Sequence, residues 1–340
     1  MIRSLPRAVS TAAAVLGTAL FVGTLLRLDL STLAASIGRL GLMLPVILLP
    51  GTLWHLLRTW GWAIAFPDHA RPAFSRLFRV RLAADAVGFF TVRGLAGEPL
   101  KVLLLYDRVP PGVTTAAVAL ERAAFAIIST LIAGVISGAV LTRLDMPGAW
   151  STVFAGLSLA AFALALLLLV VVRHGSGVMG RLVRRLDRAS GRRLGARGVT
   201  RFLLEVEVTL LGLLGGNPRR LTTLLALPVV CYALMGLEAW LVLWTVGETL
   251  SFTQTAAVET FTRLASVASA AIPANLGALE ASNAAVVTAL GLSGGGALAL
   301  VRRVRSLLWA GLGLALYPKP GATPTSPAPA LPPASPDTTA

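Results

Sequence analysis

Residues Ile272–Trp309 read IPANLGALEASNAAVVTALGLSGGGALALVRRVRSLLW, and they decide what kind of chain this is. Around them the sequence is apolar enough to cross a membrane, yet here Pro273, Asn275, Glu280 and a run of glycines interrupt the helix pattern, and three arginines follow. The rest of the chain supplies the context. Of its 340 residues, 56% are hydrophobic and only 13% are charged. A water-soluble domain carries roughly 25% charged residues, so this composition predicts an all-α polytopic membrane protein. Irregular backbone at membrane depth survives only where it lines a cavity or is buried in protein. The interrupted stretch is therefore a candidate site.

Working outward, a helix needs about 20 apolar residues to cross the hydrocarbon. Six stretches meet this as full spans: Val9–Leu26, Gly41–Phe66, Ala116–Leu141, Ala149–Val172, Leu221–Val246 and Ala297–Tyr317. Two more are broken. One runs from Phe74 to about Tyr106 and carries Arg76, Arg79, Arg81, Asp85, Arg93 and Glu98; the other is Thr255–Leu292. Arg3 and Arg7 ahead of Val9–Leu26 resemble a signal peptide, but no small-residue cleavage site follows, so the segment reads as an uncleaved first helix. The transmembrane domain is expected over 1–317, with a Pro-, Ala- and Thr-rich tail over 318–340 to which no function is assigned.

The chain carries 30 basic against 15 acidic residues. Most of the excess lies in loops between apolar runs, where it reads as topology signal and attraction to anionic lipid rather than nucleic-acid binding. Between Arg173 and Arg201 there are nine Arg and one acid, Asp187, which predicts a cytoplasmic loop within 173–220. Arg181, Arg184, Arg185 and Arg188 alternate with Leu182, Val183 and Leu186 as in a short amphipathic helix on the inner leaflet. Counting spans from this loop puts both termini in the cytoplasm of a bacterial inner-membrane protein. On that count Arg302, Arg303 and Arg305 head the last span from the outer side, against the positive-inside trend.

The two broken segments resemble each other. FRVRLAADAVGFFTVRGLAGE (Phe78–Glu98) aligns with TFTRLASVASAAIPANLGALE (Thr260–Glu280) at six of 21 positions, pairing Arg81 with Arg263 and Glu98 with Glu280. Composition alone would give roughly two matches. Glu121-Arg122 then follows Glu98 at nearly the spacing at which Arg302-Arg303 follows Glu280. Repeat-like segments are thus expected over 78–141 and 260–317. Three full spans separate the breaks, and an odd number of crossings would place them on opposite faces, as in an inverted-repeat transporter.

These same residues carry a resemblance. GLAGEPLKVLLLYDRVPPGVTTAAVALERAAF (Gly94–Phe125) and the opening stretch resemble the flippase-like family named for the transmembrane region of lysylphosphatidylglycerol synthases. The first is similar to its Gly-Gly-Glu with a basic residue three positions on. The second is similar to its Pro-x-x-Gly-x-x-Glu, Leu-Gly-Leu and Arg-Arg-x-Arg pattern. The ending VRRVRSLLWAGLGL looks most like a branch found beside hopanoid-synthesis genes. Two departures stand out: Ala281-Ser282 follows Glu280 where relatives often have Gly-Gly, and a Pro-rich tail stands where full-length synthases carry an aminoacyl-transferase domain. The resemblance therefore implies the lipid-handling half alone, a non-enzyme.

The candidate lipid-binding residues are Glu98, Glu280, Arg81, Arg263, Arg93, Asn275, Lys101, Arg122, Arg302 and Arg303. An ionisable group at membrane depth costs about 2.5–3.5 kcal/mol on insertion scales and faces a partner or a water-filled cavity. The carboxylates suit an amine, a cation or a proton; alternatively they cap and ion-pair the broken backbone. The arginines suit a carboxylate or a lipid phosphate; alternatively they snorkel to an interface. Trp54, Arg58 and Trp62 share a helix face, which reads first as an interfacial belt with a snorkelling Arg and second as Arg stacked on Trp, with His55 beside them as a packed polar residue. Gly134 and Gly138 match the small-xxx-small helix-packing pattern. Gly294–Gly296 lacks the Lys-Ser/Thr of a phosphate loop and reads as a turn. With three His and one Cys there is no metal motif, no cofactor motif and no Ser/His/Asp set. The expected function is binding or moving an amphipathic lipid, anionic phospholipid or hopanoid-like, between leaflets. The alternative is a scaffold that holds a lipid-synthesis enzyme at the bilayer.

Overall fold

Where the helices stop is set by proline, glycine and caps. The computed structural model describes residues 15, 41–91, 96–174, 218–270, 272–275 and 277–318. Within them the chain is helical, with no strand: α1 (Leu44–Ala65), α2 (Phe74–Phe90), α3 (Gly97–Leu105), α4 (Pro111–Arg143), α5 (Gly148–His174), α6 (Pro218–Thr245), α7 (Phe252–Ala268), α8 (Ala278–Ala289) and α9 (Gly295–Ala315). Pro111 opens α4 at a position where the missing N–H costs nothing. A capping box between Ser251 and Gln254 opens α7. Both α6 and α8 close on a glycine in the left-handed region, Gly247 and Gly291. In each, the next two N–H groups return to the helix's last carbonyls: Gly247 to Trp244 and Glu248 to Leu243, Gly291 to Thr288 and Leu292 to Val287.

Of these, α4, α5 and α6 are long and apolar enough to cross a membrane. They are the three helices that lie between the broken segments among the described residues. Each expected broken region is indeed two short helices. The first is α2 and α3, which fold back on each other so closely that a Cβ on Gly97 would meet the Ala84 carbonyl at 2.8 Å. The second is α7 and α8, joined through a 3-10 turn at Pro273–Asn275. There two consecutive non-glycine residues, Ala274 (φ 54) and Asn275 (φ 49), sit in the left-handed region, strain that the surrounding contacts must hold.

Packing is reciprocal. α1 lies on α6, α2 on α9, and α7 on α4, so the second helix of each half meets the last helix of the other. α1 ties two cores together. Ile47 near its start packs with Val242, Leu243, Val258 and Leu298, while Trp62 and Phe66 at its end pack with Leu77, Val80 and Leu105. Gly134 does bring α4 onto α5, since a Cβ there would meet that of Ala161 at 2.0 Å.

Three expectations change. The aromatic-belt reading of α1 fails: Trp62 is buried, and Arg58 turns inward, 3.7 Å above the Phe125 ring, because Glu121 on α4 waits there. Arg302, Arg303 and Arg305 do not head the last span; α9 begins at Gly295 and carries them in its interior. Gly294–Gly296 is only partly a turn: Gly294 is the N-cap and the other two enter α9. The proposed first span Val9–Leu26 apart from Val15, the basic loop with its amphipathic segment, Arg93 and the Pro-rich tail from Lys319 on lie outside the described residues.

Candidate functional site

A charge inside an apolar bundle must find a counter-charge or a cavity, and fourteen charged side chains among the described residues find each other in an ordered way. In the first half they form one chain. Arg58 Nε meets Glu121 Oε1 at 3.0 Å, and Arg81 Nη1 reaches the same oxygen at 3.6 Å. Arg81 Nε lies 3.4 Å from Asp85, whose other oxygen is 3.0 Å from Lys101 Nζ. Lys101 also meets Glu98 Oε1 at 3.3 Å, and Arg122 Nη1 closes on that oxygen at 2.8 Å. The series alternates in sign from one cation, Arg58, to another, Arg122. Local structure sets the short links: Arg81 and Asp85 are four residues apart on α2, and Glu98 and Lys101 three apart on α3.

The second half builds a matching series from α6, α7 and α9. Arg305 Nη1 meets Glu238 Oε2 at 2.5 Å, and Arg302 Nε lies 3.8 Å from the other oxygen. Arg302 donates to Glu259 Oε2 and to Asn283 Oδ1, each at 2.8 Å. Glu259 Oε1 then meets Arg263 Nε at 2.8 Å. Gly51 on α1 makes room for the far end, since a Cβ there would lie 2.7 Å from Arg305 Cδ. Again the sequence runs from cation to cation, Arg305 to Arg263.

Arg303 stands apart from this series. It holds Glu280 through Nε at 2.6 Å and through Nη2, and its Nη1 donates to the Ala274 carbonyl at 2.9 Å. One guanidinium thus fixes both the carboxylate at the head of α8 and the strained turn before it. The first half repeats the carboxylate part of this, with Arg122 holding Glu98 at the head of α3. Both glutamates sit in the first turn of a short helix, where the positive end of the helix dipole favours an anion. Neither N-cap carries a side-chain cap. In both, Oε1 takes the arginine, and the buried Oε2 has no hydrogen-bond partner among the described residues.

The predicted residues therefore fall into place unequally. Glu98, Lys101, Arg122 and Arg81 share the first series; Arg263 and Arg302 share the second; Glu280 and Arg303 pair beside it. Asn275 lies in the turn, its Nδ2 3.4 Å from Ser266 Oγ. Contacts match the halves differently from the alignment at one place. Arg81 bridges α2 to Glu121 on α4, and the residue that bridges α7 to Arg302 on α9 is Glu259, one helical turn before Arg263. Base and acid are exchanged: Glu121 sits between Arg58 and Arg81, Arg302 between Glu238 and Glu259.

Sequence reasoning left Glu238, Glu259, Asp85, Asn283 and Phe125 out of the site, along with Arg58, Glu121 and Arg305. Two of them gave a signal: Glu238 is a lone acid in an apolar span, and Glu259 precedes Arg263 by four residues on a helix. Phe125 gave none, because any apolar helix has such residues.

An all-α bundle with three membrane-length helices, two broken segments and interior ion-pair series defines a polytopic membrane protein. The sequence profile of one family, the lysylphosphatidylglycerol synthase TM region, matches residues 9–315. The chain belongs to that family. No curated protein and no solved structure matches it.

Proposed function

We propose that this protein binds an amphipathic lipid and passes its headgroup between the leaflets of the cytoplasmic membrane, without ATP-hydrolysing machinery of its own. The observation that carries this reading is the pair of glutamates, one on each broken segment, each held by an arginine through one oxygen and offering the other. A buried acceptor left without a donor costs about 1–3 kcal/mol, more when charged. An ammonium, a hydroxyl or a proton brought by a headgroup would recover that cost. The reciprocal packing of the halves supports reading them as an inverted repeat, with each carboxylate approached from its own leaflet. The headgroup would follow the interior charges while its tails stay in the bilayer, so that no polar group crosses hydrocarbon unpaired. Anionic phospholipids and polyhydroxylated hopanoid-type lipids both fit this chemistry.

Purified protein in liposomes should speed the transfer of labelled lipid between leaflets without ATP. Glu98→Gln and Glu280→Gln should each slow it at least about tenfold, the equivalent of one charge-assisted hydrogen bond, with membrane abundance unchanged. A variant lost from the membrane would assign its glutamate to folding instead. Transfer at the protein-free rate, with and without a proton gradient, across the major membrane lipids and a hopanoid, would replace this reading with the scaffold.

A further inference from the structure

The turn between α7 and α8 is strained, and one side chain holds it. Ala274 (φ 54) and Asn275 (φ 49) are the two non-glycine residues of positive φ among the described residues, and each is in a conformation that a Cβ disfavours. The Ala274 carbonyl accepts from Arg303 Nη1 at 2.9 Å. The same guanidinium holds Glu280 through Nε at 2.6 Å and through Nη2. One planar group therefore ties the turn to the carboxylate, and it cannot shift at one without shifting at the other.

The turn also rests on the other half of the bundle. Ala274 packs in one small core with Ala86 and Phe90 of α2 and with Leu307 and Ala310 of α9. On its far side Gly277 (φ 77), with open space around it, lets the chain change direction between the turn and α8. The side chain of Glu280 is 37% exposed and that of Arg303 3%. A group approaching this pair meets the carboxylate first, and Arg303 responds to it through Glu280. In the first half the order is reversed, with Arg122 48% exposed and Glu98 23%.

We propose that the Pro273–Asn275 turn is a latch: Arg303 holds it against α2 while Glu280 is unoccupied, and an ammonium or hydroxyl donor taken up by Glu280 frees it. This rests on the reading of Glu280 as a headgroup site and adds what occupancy there does to the fold. A donor at the open Oε2 draws charge from the carboxylate and weakens the hold of Oε1 on Arg303. A guanidinium short of counter-charge in an apolar interior swings to where it can be solvated, here the exposed side of Glu280. The Ala274 carbonyl then loses its donor, and two residues in an unfavourable φ relax by releasing the turn. Ala274 leaves Ala86 and Phe90, so the end of α2 loosens in turn. The state of one half's carboxylate thereby reaches the broken segment of the other half, a two-state element of the kind that alternation between leaflets requires.

Amide hydrogen exchange of the full chain in phosphatidylcholine nanodiscs tests this without any transfer measurement. Glu280→Gln stands for a carboxylate whose charge has been taken up. The reporters are the amides of Ile272 and Asn275, bonded to the Ser269 and Ile272 carbonyls in the turn, and that of Thr91, bonded to Val87 at the end of α2. Glu280→Gln should speed exchange at all three roughly tenfold or more, the weight of one charge-assisted hydrogen bond, and leave the middle of α4 unchanged. Arg303→Gln should do the same. The double variant should be no faster than Arg303→Gln alone, because Glu280 acts on the turn through that arginine. Unchanged exchange at Ile272 and Asn275 in Glu280→Gln would overturn the proposal, and that arm decides even where Arg303→Gln fails to fold. Faster exchange throughout α8 and α9 would assign Glu280 to folding and overturn it too, as would a faster turn with Thr91 unmoved. Expected exchange rates in a protein that moves no lipid between leaflets would keep the latch and remove the flippase. Lipid transfer slowed by Glu280→Gln with the turn unmoved would do the reverse.

Discussion

Arg302 is the side chain whose loss should tell most about how this bundle is held together. It is 2% exposed and serves three partners on three helices: Glu259 and Asn283, each at 2.8 Å, and Glu238 at 3.8 Å. Replacing it with Met keeps much of the volume and removes the charge. Two buried carboxylates are then short of a partner, though not wholly bereft, since Arg263 still meets Glu259 and Arg305 still meets Glu238. Removing one member of a buried pair costs about 3–5 kcal/mol. The remaining partners put Arg302→Met at the lower end, about 3 kcal/mol, which is roughly a 100-fold fall in the ratio of folded to unfolded protein. Reversible unfolding in bicelles by steric trapping measures this directly. A double-mutant cycle with Glu259→Gln should give a coupling above about 1 kcal/mol, as expected for residues in one network. If Arg302→Met loses less than about 1 kcal/mol, or the coupling is near zero, the ion-pair series does not hold the helices.

Gly313 packs the two halves together, because a Cβ there would lie 2.2 Å from the Leu82 carbonyl oxygen on α2. Gly313→Ala should therefore cost about 1–3 kcal/mol by overpacking, seen as a lower thermal midpoint in detergent, whereas Gly156→Ala, with open space at its Cβ, should lose nothing. Glu248 joins the turn after α6 to the turn before α9, accepting from Ser293 Oγ at 2.5 Å and from Ser293 N at 2.7 Å. The Ser293 hydroxyl first, then the Ser293 and Gly294 amides, hold its carboxyl below the ordinary 4.5. A lowered folded value means this clip stabilises fully above 4.5 and is lost as pH falls through the lower value. The thermal midpoint should drop over that acid range in the wild type and drop less in Glu248→Gln.

Much of this was legible along the chain. Hydropathy gave the membrane class, the spans α4, α5 and α6, and helices without span-like apolarity around α1 and α9, because burial in lipid is a property of consecutive residues. Pro273 marked the break ahead of α8, since proline fixes φ and removes a backbone donor. The glutamates at the heads of α3 and α8 stood out because a carboxylate in an apolar run demands a reason.

What the sequence alone could not determine was which charge meets which. Arg58 read as a snorkelling residue because its neighbours on α1 are tryptophans; only the crossing of α1 by α4 brings Glu121 beneath it. The alignment matched Arg81 to Arg263, yet a shift of one turn gives the bridging position in α7 to Glu259. Likewise nothing in the order of residues announces that Arg58 and Arg263, far apart in the chain, approach one phenylalanine. Helix propensity and hydropathy act over one segment. Ion pairing between segments depends on crossing position and rotation, and a single turn of either exchanges every partner on the face.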